Sequence, residues 1–170
     1  MGGLKINGPG FKSVLSATFV AGTLDIVAAI LLYAVIMEKT TPSRIIMSIA
    51  SAVFGKEAYS GGFPMILTGL ALHFLIAFIF SLFYYFLYQN ISLLSRKRLL
   101  SGILYGVFIW LVMNLIVLRL AFPTMPSPDL QAVAIGIAIV ILAVGIPISY
   151  IISAGSRNAY AVAGKSRGNL

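Results

Sequence analysis

The chain contains no cysteine. That single absence removes disulfides, thiolate metal sites and cysteine nucleophiles together. It has one histidine, His73, so no multi-histidine metal centre can be assembled within one chain. Charge is scarce too: 9% of 170 residues carry it, against about a quarter in a soluble domain. Acids are the scarcest, four against twelve Lys and Arg. No glycine-rich phosphate loop occurs, and no pair of deep carboxylates stands ready for hydrolysis or metal binding. A serine beside His73 lacks an oriented third group, so no enzyme, cofactor or metal is expected.

What is abundant is apolar: 60% of residues, with a mean hydropathy of +1.04. A net charge of +8 would point to nucleic acid in a soluble protein. Here it points to basic loops beside anionic lipid headgroups, with the bilayer as partner and no nucleic acid. A helix needs about 20 apolar residues to cross a membrane. Four such runs occur, at Val14–Met37, Phe63–Tyr88, Leu99–Phe122 and Leu130–Ile152. Their length excludes a β-barrel, whose strands are about ten residues of alternating polarity. The expected fold is all-α, an integral membrane four-helix bundle over residues 1–155 with a basic cytoplasmic tail at 156–170. The first run is too long for a cleaved leader and is read as a retained span.

Orientation follows the basic residues, which stay cytoplasmic. Lys5, Lys12, Arg96, Lys97, Arg98, Arg157, Lys165 and Arg167 fall on one side; Lys39, Arg44, Lys56 and Arg119 fall on the other. Both termini are therefore expected in the cytoplasm, with Arg96, Lys97 and Arg98 touching lipid headgroups. The Asn90, Ile91, Ser92 acceptor pattern then lies on the cytoplasmic side and carries no meaning.

The first outer loop holds a short helix. Thr41 can cap it and Pro42 can open it, a position where the missing N–H costs nothing. Ile45, Ile46, Ile49, Val53 and Phe54 share one face, Ser43, Ser48 and Ser51 the other, and Gly55 offers a stop. It is too short to span and is expected at the membrane interface, either merely joining two spans or roofing a cavity.

Three polar residues lie deep in the spans: Asp25, His73 and Asn114. At 1.5 Å per residue they fall within one layer about 6 Å thick near mid-membrane. Each sits on a row of small residues at four-residue spacing: Ala21, Asp25 and Ala29; Gly69, His73, Ala77 and Ser81; Gly102, Gly106, Trp110 and Asn114. Such rows let helices approach closely, so the three side chains are expected to face the bundle interior. Gly102 and Gly106 form a GxxxG pair, read as packing within the chain. Gly145 and Pro147 should weaken or kink the fourth span. Trp110 should want a buried partner, Arg119 should snorkel to headgroups, and Phe80, Phe83, Tyr84, Tyr85, Phe86 and Tyr88 should girdle the interface.

The order of features resembles the YagU-like family of bacterial inner-membrane proteins. The resemblance rests on AGTLDIVAAI in the first span, PSRIIMSIASAVFGKEAYSGG in the outer loop, GLALHFLIAF in the second span and SGILYGVFIWLVMNLIV in the third, and covers about residues 16 to 150. It implies four spans in an inner membrane but supplies no chemistry and no catalytic residue. Two functions stay open. One is a structural, accessory or membrane-stress role, with Asp25, His73 and Asn114 fastening helices. The other is a proton-linked or small-solute conduit through that layer, as a homo-oligomer or with another membrane protein.

Overall fold

A computed structural model describes residues 8–167; Lys5 and the side chains of Arg157, Lys165 and Arg167 lie outside the description. Among the described residues all regular structure is helical. Helix α1 (Gly8–Ala29) runs on as a π-helical segment, Ile30–Ile36. After α2 (Pro42–Phe54) and a 3-10 turn come the long α3 (Gly62–Asn90) and the short α4 (Ser92–Arg96). The third span is α5 (Arg98–Leu111), a π-helical segment Val112–Val117 and α6 (Leu118–Ala121). The fourth is α7 (Leu130–Val140), a π-helical segment Ile141–Gly145 and α8 (Ile146–Arg167). Among the described residues four helices are long and apolar enough to cross a membrane, at Gly10–Ile36, Gly62–Asn90, Arg98–Ala121 and Leu130–Ser156. Each lies within a few residues of its expected run, but the last helix continues through Arg167 rather than ending with the apolar stretch.

Large side chains point outward from every span, among them Phe19, Leu31, Leu67, Leu115 and Leu142. An apolar surface of this extent is matched by hydrocarbon, not water. The protein is a multi-pass membrane protein.

In space the second span packs on the first, the first on the fourth, and the fourth on the third. Glycine sets the closest of these contacts. A Cβ on Gly145 would lie 2.6 Å from the Gly106 nitrogen and against the Gly102 carbonyl oxygen, so backbone meets backbone across α5 and the fourth span. The GxxxG pair therefore does pack within the chain. Next to it the expected weakness of the fourth span takes the form of a π turn: Ile146 lies one residue before Pro147, and its N–H bonds the Ile141 carbonyl. The α3 and α5 backbones approach one another little, and aromatic rings bridge them. Tyr84 meets Tyr105 edge-on at 4.7 Å, and Phe83 stacks on Phe108 at 5.7 Å.

Those tyrosines correct the expected girdle. Tyr84 and Tyr85 are buried in the bundle core rather than placed at the headgroups, although Phe83 is exposed. The Tyr84 hydroxyl donates to Ser149 Oγ at 2.8 Å, lies 2.8 Å from Ser101 Oγ, and Ser149 donates onward to the Arg98 carbonyl at 2.9 Å. Tyr105 donates to the Phe80 carbonyl at 2.6 Å. Three spans are tied by this one hydroxyl cluster. Tyr84→Phe is expected to lower stability in detergent by about 1 kcal/mol, the usual scale of such a bond within a membrane, measured by thermal unfolding; no change would show the cluster to be idle.

Helix α2 keeps its expected bounds: Thr41 accepts from the Arg44 N–H at 3.4 Å, Pro42 is first, and Gly55 ends it at φ +63°. Its faces differ from expectation. Met47, Ala50 and Ser51 are buried, while Val53 and Phe54 point out. The serines bond their own helix, Ser48 Oγ to the Ile45 carbonyl at 2.6 Å and Ser51 Oγ to the Ser48 carbonyl at 2.7 Å. Turned inward they leave nothing unmet, and the apolar pair is free to face hydrocarbon. Gly69 of α3 is the seat of this helix, since a Cβ there would strike the Ile46 carbonyl oxygen. Gly69→Val should lift α2 off. With no native cysteine, an Ala50→Cys reporter should then gain reactivity toward an impermeant maleimide, and unchanged labelling would refute the seating.

Candidate functional site

Asp25 and His73 come together as expected. They line one cavity of about 90 Å³ to which all four spans contribute, through Gly22 of α1, Ala77 of α3, Met113 of the third span and Val144 of the fourth. That volume holds a few waters. Within its lining Asp25 and His73 are the only titratable groups.

Their bonding differs sharply. His73 Nε2 lies 2.8 Å from the Gly22 carbonyl oxygen on α1. A carbonyl only accepts, so Nε2 carries a proton and donates it across the helix pair. Gly22 makes room for this: a Cβ there would sit 2.8 Å from the Phe74 ring, which meets His73 edge-on at 5.5 Å. Ala77, the next small residue on α3, lies over the same glycine. Asp25 is one turn further along α1. Among the described residues its carboxylate has no hydrogen bond and no ion pair, and the group it interacts with electrostatically is His73. The two side chains share a cavity with no hydrogen bond or ion pair between them.

A second cavity, of about 410 Å³, opens beneath α2. Ser48, Ile49 and Tyr59 form its roof, and the end of the third span nearest α2 forms its wall. Ile76 and Met113 line both cavities, so they alone name the partition between them. The α2 segment thus borders a cavity as well as joining two spans.

Asn114 does not join the pair. Its Nδ2 donates to the Trp110 carbonyl of its own helix at 3.0 Å, and its side chain lines a separate cavity of about 270 Å³ with Leu118, Arg119 and Pro126. Residues four apart advance by about 40° beyond a full turn. Across the three steps from Gly102 to Asn114 the drift reaches about 120°, while Met113 stays within about 20° of Gly102. Met113 accordingly takes the interior place expected of Asn114. Arg119 is also placed differently: instead of reaching only for headgroups it bonds the Met125 carbonyl at 2.9 Å and Ser127 Oγ at 2.8 Å, pinning the proline-bearing loop. Trp110 packs its indole nitrogen on Gly136.

Arg96 and Lys97 are exposed at the α4 end of the bundle, as a headgroup contact requires. The Tyr84–Ser101–Ser149 cluster was missed by sequence reasoning, since its members stand on three different spans. Among the described residues no set of three His, Cys, Asp or Glu is placed to hold a metal ion.

The fold and this site define a four-span membrane protein enclosing an acid and an imidazole at mid-span. No family model, curated protein or solved structure matches the chain.

Proposed function

We propose that the chain is a bacterial inner-membrane protein providing a proton-linked path for a small cationic solute, with Asp25 as the group that takes up proton or solute. The observation that carries this is the unpaired Asp25 carboxylate inside a cavity shared by four spans. A carboxyl group kept at membrane depth without a hydrogen bond or ion pair is expensive, and ionisable residues in such places mark solute and proton pathways. The lining offers one carboxyl group, one imidazole and otherwise apolar walls, too few oxygens for a hard metal ion. A proton or a small organic cation is the chemistry it fits. Ile76 and Met113 alone separate this cavity from the one beneath α2, so a shift of these two side chains would open an approach from that side.

In this reading both ends of the chain are cytoplasmic, α2 faces the periplasm and a homo-oligomer completes the path, in keeping with the YagU-like resemblance. A structural, accessory or membrane-stress role is the second reading. It is favoured by the His73–Gly22 bond, which fastens two spans. The test is purified protein in liposomes carrying a pH-sensitive dye. An imposed pH gradient should collapse faster than in empty vesicles, and equal rates would leave the accessory role.

A further inference from the structure

We infer that the cleft between α3 and α5, at the α4 end of the bundle, binds an acyl chain of an anionic phospholipid whose headgroup is held by Arg96, Lys97 and Arg98. The cleft exists because the α3 and α5 backbones stay apart. Rings fill the gap only in part and leave an open groove of about 330 Å³, walled by Phe83, Leu87, Leu94, Leu104 and Phe108. Phe83 and Leu104 are exposed, so the groove opens toward the surrounding hydrocarbon.

Its polar atoms are already spent. Tyr84 bonds Ser149, Ser101 lies in the same cluster, and Tyr105 bonds the Phe80 carbonyl. What remains for an occupant is a dry, ring-lined surface that suits an alkyl chain and offers nothing to a polar solute.

The charge at the groove's end selects the headgroup. Leu94 and Ser101 both line the groove, and the chain between them passes through Arg96, Lys97 and Arg98. Exposed Lys12 of α1 adds to the same end, since neighbouring Ser13 lies against Gly155 of α8. The chain's four acids are all elsewhere: Asp25 is at mid-span, and Glu38, Glu57 and Asp129 are in the loops at the α2 end. Three consecutive cations with no carboxylate near them, at the end of an apolar groove, complement an anionic two-part amphiphile. Each such cation near an anionic surface strengthens attachment by about fivefold.

The test is native mass spectrometry of the full chain released from bilayers of equal phosphatidylglycerol and phosphatidylcholine. Retention of phosphatidylglycerol over phosphatidylcholine is expected, and the R96Q/K97Q/R98Q variant should lower that preference by about tenfold or more. Leu104→Trp, at a position 59% exposed on the groove wall, should lower retention of both lipids. Leu142→Trp, exposed on the fourth span, should not, which separates groove filling from general disturbance. Equal retention of the two lipids, an unchanged preference in the triple variant, or a dimer lost on Leu104→Trp would overturn the assignment, the last by placing a second copy in the groove.

Discussion

Asp25→Asn is expected to reduce proton flux into liposomes by about two orders of magnitude or more, the scale on which one positioned proton-transfer group acts, while leaving a folded, monodisperse protein. Asparagine keeps the shape of the side chain, and the carboxylate it replaces has no hydrogen bond or ion pair among the described residues. Nothing that fastens helices is lost. Stability should therefore change by no more than about 0.5 kcal/mol. His73→Ala differs: it removes the 2.8 Å bond to the Gly22 carbonyl and should lower stability by about 1 kcal/mol. Flux and unfolding temperature, measured on both variants, separate the two roles. If Asp25→Asn conducts as well as the parent, or unfolds as His73→Ala does, the site is a fastener.

The largest effect on stability should come from Gly145. Even Gly145→Ala places a methyl group against the Gly102 carbonyl oxygen and within 2.7 Å of the Gly106 Cα. These are backbone atoms, so no rotamer change relieves the overlap, and the fourth span must move bodily away from α5. A destabilisation of about 3 kcal/mol is expected, the upper part of the range for overpacking. Gly145→Leu should fail to give a monodisperse protein at all. Ala138→Leu provides the control, because Ala138 is exposed on the same span and the added bulk meets only lipid. Thermal unfolding in detergent distinguishes these outcomes, and equal melting of Gly145→Ala and Ala138→Leu would remove the close-packing argument.

The spans were legible because their length and composition are set by the bilayer and not by neighbours. Helix α2 was legible in its limits, since Thr41, Pro42 and Gly55 act locally, but not in its orientation. Ser48 and Ser51 read as polar residues only until they are seen to satisfy themselves on their own helix. Asp25 and His73 were placed together because each lies near the middle of its row of small residues, where helical drift is small. Asn114 was misplaced because it stands at the far end of its row, where drift is greatest. Tyr84 and Tyr85 were read by position along a span, which says how deep a residue lies but not which way it faces. The hydroxyl cluster joins residues as much as 65 apart in sequence, and no local pattern announces it.

The π-helical segments of the third and fourth spans, Val112–Val117 and Ile141–Gly145, carry Met113 and Val144 of the Asp25 cavity. A π turn is a regular helix holding one surplus residue, and a surplus residue is a unit of rotation. Moving it one turn along the third span would swing the residues it passes by about 100° about the helix axis. Asn114, which immediately follows Met113, is the residue such a step would carry toward Asp25 and His73.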